Sequence, residues 1–176
     1  MNNLKSLVRS LPDYPKPGII FRDVTTLFAD PAGMRGVVDA MSDPFRDNGF
    51  DVVAGIDARG FILGGAIALE LGTGFVPIRK RGKLPYDVHR EEYSLEYGVD
   101  EVEIHVDALS GAPRVLLVDD LLATGGTALA SVRLIERAGG TVPAAVFAID
   151  LPDLGGAAAL RDKGIEVVSV MEFEGD

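Results

Sequence analysis

A chain of 176 residues can build one sizeable hydrophobic core and is too short for two ordinary domains. Hydrophobic residues make up 47% of it, and no apolar run reaches the roughly 18 residues of a membrane span. Cysteine is absent, which excludes disulfides, thiolate catalysis and zinc–thiolate sites, and a net charge of −10 argues against nucleic acid as a partner.

In chain order, Asn3–Ser10 reads as a short helix stopped by Pro12, followed by a Pro17-Gly18 turn and a short strand over Ile19–Phe21. This N-terminal stretch lacks the apolar core of a secretory signal, so the expected location is the cytoplasm. Pro31–Asn48 is helical, with Pro44 placed to split or kink it. Phe50–Ala54 reads as a buried strand, Gly60–Leu71 as a helix and Phe75–Arg79 as a third strand. Val115–Val118 is the next strand, and Thr127–Ala138 is a helix stopped by Gly139-Gly140. Strands over Val142–Ile149 and Ile165–Val170 flank a helix near Gly156–Lys163. Alternation of this kind predicts an α/β fold: an open, mainly parallel sheet flanked by helices, in one domain over 1–176.

One region breaks the alternation. Gly82–Glu92 is polar and carries Pro85, and Val99–Asp107 alternates as a half-exposed strand does. Segment 80–107 therefore reads as a flexible lid, a loop that returns along an antiparallel strand. At its opening, Arg79, Lys80, Arg81 and Lys83 form a dense basic cluster in an acidic chain.

The richest signal is Val115–Thr127, VLLVDDLLATGGT. Four apolar residues make a buried strand, two carboxylates follow at Asp119 and Asp120, and a small-residue turn runs into a helix. In open parallel sheets, ligands bind outside the carboxyl ends of the strands. Ala123, Thr124, Gly125, Gly126 and Thr127 would stand there with free backbone N–H groups at a helix start, ready for a phosphate. The paired acids suit sugar hydroxyls or hydrated magnesium. Neither a Walker glycine loop with its lysine nor a G-x-G-x-x-G fingerprint occurs, so those two nucleotide sites are unsupported. A second strand–loop–helix, VVAGIDARGFILGG, places Asp57, Ala58, Arg59 and Gly60 at another strand end, where Arg59 offers a planar fork to anions. His89 and His105 lack partners in sequence and read as surface residues.

The thirteen-residue string resembles the phosphoribosyl-pyrophosphate signature of the type I phosphoribosyltransferases. Four further segments narrow the resemblance to the members that use adenine: PKPGIIFRD ending at Asp23, GIDARGF at Gly55–Phe61, RKRGKLP at Arg79–Pro85 and YSLEYG at Tyr93–Gly98. It covers nearly the whole chain in order and spacing.

The resemblance implies a small hood, built from about residues 1–30 and the C-terminal part, over a phosphoribosyltransferase core. It implies that Ala123–Thr127 hold the 5-phosphate, while Asp57, Ala58, Arg59 and Gly60, with Arg79, Lys80 and Lys83, hold the pyrophosphate. A cis peptide not involving proline is expected at Asp57–Ala58. Phe21 would lie against adenine, with backbone groups of Ile20 and Arg22 at its hydrogen-bonding edge. Glu96 takes the place of the family's catalytic glutamate, beside Tyr97 in the lid, and Asp119, Asp120 and Arg59 complete the catalytic set. Magnesium would enter through substrate oxygens and water near Asp119 and Asp120, without direct protein ligation. The expected reaction joins adenine to phosphoribosyl pyrophosphate, giving AMP and pyrophosphate, in a homodimer that binds no nucleic acid or membrane. Its rivals are transfer to xanthine, hypoxanthine, guanine or orotate, and a non-catalytic sensor of phosphoribosyl ligands.

Overall fold

The computed structural model describes residues 4–95 and 98–175. After a short 3₁₀ turn at Leu4–Leu7, strand β1 (Arg9–Pro12) pairs antiparallel with β2 (Ile20–Asp23) as a separate two-stranded sheet. Helices α1 (Thr25–Ala29) and α2 (Pro31–Ser42) follow. Asp30 caps α2, its carboxylate accepting the Gly33 N–H at 2.7 Å, and Pro31 occupies the first helical position. The main sheet then builds from β3 (Val52–Ile56), α3 (Arg59–Leu71), β4 (Gly74–Lys80), β5 (Val88–Leu95) and β6 (Gly98–His105). It is completed by β7 (Arg114–Leu122), α4 (Gly126–Arg137), β8 (Thr141–Asp150), α5 (Gly156–Arg161) and β9 (Glu166–Glu172).

Seven strands lie in the order β5-β6-β4-β3-β7-β8-β9. The five from β4 to β9 are mutually parallel; β6 joins β4, and β5 joins β6, antiparallel. Alternation along the central strands feeds two cores. Val115 and Leu117 of β7 pack with Val132, Ile135 and Leu160 from α4 and α5, whereas Leu116 and Val118 pack with Val37, Leu63 and Ile67 from α2 and α3. A sheet covered on both faces explains why VLLV reads as an unbroken apolar run.

Three sequence expectations need correction. The predicted helix to Ser10 gives way to β1, whose four residues are all exposed, so no apolar alternation marks it. The acid pair does not follow the strand but lies inside it: β7 continues to Leu122 because β8 runs alongside, pairing Asp119 with Phe147 and Leu122 with Asp150. The outgoing part of segment 80–107 is not a loop throughout: Val88–Leu95 is strand β5, which pairs with the expected antiparallel return, β6, as a hairpin at the edge of the main sheet. Val102 and Ile104 bury one face of it, and Glu103, 1% exposed, lies between them. Helix α1 was not anticipated either. Pro44 does split the second helical segment, into α2 and a short 3₁₀ turn at Asp43–Phe45.

Candidate active site

The register of β3 against β7, Val52 opposite Val115 through Gly55 opposite Val118, brings the DARG and TGGT loops out of neighbouring strands at the same end of the sheet. Close contact between them demands glycine at position 60. A Cβ there would stand 2.9 Å from both Asp119 Oδ1 and the Val118 carbonyl oxygen. The Asp57–Ala58 peptide bond is cis, as the resemblance implied.

Adjacent residues of a strand point to opposite faces, and this separates the two acids. Asp120, 3% exposed, turns toward α3, where Arg59 Nε donates to its Oδ2 at 2.5 Å. Asp119 turns toward α4 and lines a cavity of about 210 Å³ with Leu121–Ala128 and Phe147. Its Oδ1 accepts the Asp120 N–H at 2.9 Å. Burial, and next the charge of Asp120, push the Asp119 carboxyl well above its usual range. Arg59 is already committed to Asp120, so Asp119 lacks a full counter-charge.

Helix α4 starts at Gly126 behind Gly125, whose φ of +83° is the left-handed region. Among the described residues, no protein acceptor takes the amides of Thr124–Thr127, which point at the small cavity as a helix start allows. A second glycine holds this loop from behind. The Gly156 N–H donates to the Ala123 carbonyl at 3.0 Å, and a Cβ at Gly156 would lie 2.3 Å from that oxygen and 2.8 Å from Gly125 N.

A larger cavity, about 580 Å³, adjoins the first through Leu121, Ala123 and Thr124. Its walls include Ile20, Phe21 and Arg22 of β2, Arg59, and Leu151 and Leu154 beyond β8. Among the described residues, strand β2 has a partner along one edge only. Alternate residues of an antiparallel strand turn their N–H and C=O groups to opposite edges, which leaves one set free. The Arg22 guanidinium is occupied elsewhere, donating to Ser10 Oγ at 2.7 Å and to the Glu174 carbonyl at 3.1 Å. No residue signal marks Leu121, and Leu151–Gly156 reads in sequence as a turn after a strand end, near enough to touch a base but with no residue type to establish it. The useful signal was position, because LPDLGG follows directly on the carboxyl end of a parallel strand.

The basic cluster divides. Arg79 Nε lies 3.4 Å and Lys83 Nζ 3.7 Å from Asp57 Oδ2, so both stand at the DARG loop. Lys80 turns its ammonium the other way, onto Asp100 and Tyr93 of the edge hairpin; only its backbone N approaches Asp57, at 3.5 Å. The Lys80 hydrogen bond in turn holds the Asp100 carboxyl below its ordinary range. Arg81 reaches Glu101 at 3.2 Å, away from the site. His105 is half-buried, with its ring 6.2 Å from that of Tyr86, rather than on an exposed face. Glu96 and Tyr97 lie outside the described residues.

The family model of the phosphoribosyl transferase domain matches residues 23–170. An adenine phosphoribosyltransferase of Parvibaculum lavamentivorans is 60% identical over 173 residues, covering 98% of this chain and 99% of its own. The chain belongs to the adenine phosphoribosyltransferase family. Among solved structures of the family, that from Rhodothermus marinus matches with a TM-score of 0.90 at 46% identity, over 97% of this chain and 96% of its own. The Saccharomyces cerevisiae enzyme, complexed with adenine and an imino-altritol bisphosphate, matches at 0.88 and 34% identity, over 96% of each chain or nearly so.

Two results are expected from this geometry. Gly156→Ala drives a methyl into the back of the Ala123–Thr127 loop, an overpacking of about 1–3 kcal/mol, so calorimetric titration should show ribose 5-phosphate binding weakened about tenfold or more. Asp119→Asn should stabilise the ligand-free protein while abolishing turnover. The folded state holds the Asp119 proton more tightly than the unfolded state, so this group's contribution to stability falls as pH rises above the usual 3.8. Melting curves at pH 7 should place the variant about 2–4 °C higher, the shift that 1 kcal/mol gives in a chain this long. That gap should close toward pH 4, and a lower melting point at pH 7 would refute the assignment.

Proposed function

We propose that this protein transfers the 5-phosphoribosyl group of phosphoribosyl pyrophosphate to adenine, giving AMP and pyrophosphate, as a glycosyltransferase of purine salvage. The observation that carries the reading is the pairing of two anion loops on adjacent strand ends, with an apolar slot for a planar base beside them. In this reading the Ala123–Thr127 amides take the 5-phosphate. Arg59, Arg79, Lys83 and the Asp57–Gly60 backbone take the pyrophosphate, while Lys80 must leave Asp100 to join them. Phe21 packs on one face of the base, with the Leu121, Leu151 and Leu154 side chains available to the other. Backbone groups of Ile20 and Arg22 meet its polar edge. A site that pairs those polar groups rejects bases that leave them unpaired.

As the bond from the anomeric carbon to pyrophosphate breaks, the sugar ring gains positive charge, and the bond to the purine nitrogen forms as that nitrogen loses its proton. Catalysis of this kind is mainly positioning and electrostatic stabilisation. In this reading Asp119 meets the ribose hydroxyls at the cavity it lines, and Asp120 joins it once Arg59 turns to the pyrophosphate. Glu96, by its place in the YSLEYG segment, is the group that accepts the purine proton or faces the charged ring.

Magnesium fits the acid pair, because a cation beside Asp119 would favour the ionised carboxylate that burial and Asp120 oppose. Two carboxylates are too few to cage the ion, so substrate oxygens and water would supply its other ligands. Its chemical contribution is to neutralise the leaving pyrophosphate. A single domain with a β1–β2 hood, a cytoplasmic location and a homodimer complete the reading. For the homodimer, the support is Ile62 and Leu69, 50% and 85% exposed and seven residues apart on the outer side of α3. Among the described residues, no helix is long and apolar enough to cross a membrane.

A pyrophosphate-release assay with a panel of bases should give turnover with adenine and at least about 100-fold less with hypoxanthine, guanine, xanthine or orotate. Equal rates with a second base would shift the assignment to that base. Glu96→Ala should lose about 10²–10⁴-fold in kcat while still binding AMP, and unchanged turnover would remove Glu96 from the mechanism.

A further inference from the structure

The edge hairpin touches both poles of the site through two carboxylates. Residues 90 and 91 of β5 point to opposite faces, as neighbours on a strand must. On one face Arg90 Nε donates to Glu103 Oε1 at 2.7 Å, and the other oxygen of Glu103 accepts the Gly82 N–H at 2.9 Å. Glu103 thereby grips the segment that presents Arg79 and Lys83 to the DARG loop. On the opposite face Glu91 is held by two arginines of α4. Arg133 Nε donates to its Oε1 and an Arg137 terminal nitrogen to its Oε2, each at 2.6 Å. The same two guanidinium groups also donate to the Glu92 and Arg90 carbonyls. Helix α4 is the one whose first turn forms the TGGT loop.

Isolated surface ion pairs contribute little, but a carboxylate shared by two guanidinium groups that also bond the flanking backbone is a network, and one of restricted geometry. Glu91 and Glu103 face no part of the described cavities, so neither touches the ligand. We propose that the β5–β6 hairpin is a strut that steadies the separation which the β3–β7 ladder gives the two anion poles, with Glu91 as the positioning residue that ties it to the 5-phosphate helix. This rests on the functional reading above, since it assumes one ligand held at both poles. A ligand bound at two points gains from the second contact only if the spacing is right. Loosening the strut therefore penalises the two-pole ligand and spares ligands that use one pole.

The test is titration of Glu91→Gln and of wild type with three probes: ribose 5-phosphate, pyrophosphate, and phosphoribosyl pyrophosphate with magnesium. The strut predicts Kd values within about twofold of wild type for the first two and about tenfold weaker for the third, with kcat lowered in parallel. An unchanged Kd for phosphoribosyl pyrophosphate would overturn the proposal. So would equal weakening for all three probes, which would mean that the phosphate loop itself had collapsed. Failure of the functional reading looks different: wild type itself would then bind phosphoribosyl pyrophosphate no better than ribose 5-phosphate.

Discussion

The parallel ladder between β3 and β7 is the constraint on which everything else depends. It sets two strand ends side by side, and each end opens directly into a helix, α3 or α4. Ligands of open parallel sheets bind outside such ends because there the backbone turns away and leaves its polar groups free. Two adjacent ends place two loops side by side at a spacing held by the sheet. The glycine at position 60 keeps that spacing small, since any side chain there would strike the β7 backbone and Asp119. Residues chosen for backbone clearance thus decide what the site can hold.

Charge is arranged on a finer scale than the net value of −10 suggests. Salt screens exposed charges beyond roughly 8 Å, so the distant carboxylates of an acidic surface weigh little against a contact inside the cleft. A hydrogen bond assisted by charge contributes about 1.5–3 kcal/mol, and Arg59, Arg79 and Lys83 all stand at one loop. Strand alternation then separates the acids by task. Asp120 holds Arg59, while Asp119 lines the smaller cavity, where burial and the charge of Asp120 raise its carboxyl above the usual range. Ionising such a carboxyl costs the folded state stability.

The parts of this arrangement that were legible in sequence share a physical reason. VLLV, VVAG and the β8 segment are buried on both faces, so burial forces continuous apolar runs that need no context to read. The DARG and TGGT loops carry their chemistry in residue type and order, and the resemblance to known transferases rests on those strings. What escaped was decided by contacts between distant segments. Strand β1 is exposed throughout and exists by pairing with β2. The length of β7 is set by β8 beside it, so the acids at its end looked like a turn. Lys80 sits within a basic run that suggests a phosphate ligand, yet the opposite strand of a hairpin supplies Asp100 and Tyr93 to hold it. The leucines after β8 and Gly156 have no distinctive pattern; only their place in the sheet gives them a function.

The proposed function requires one ligand to span two loops, each of which recognises a different end of it. Amide NMR of the labelled protein, titrated separately with ribose 5-phosphate and with pyrophosphate plus magnesium, addresses this directly. The account predicts that ribose 5-phosphate shifts the amides of Thr124–Thr127 and that pyrophosphate shifts those of Asp57–Gly60, each leaving the other set nearly unmoved. If both compounds shift the same set, or if ribose 5-phosphate leaves Thr124–Thr127 untouched, the two-loop account is wrong.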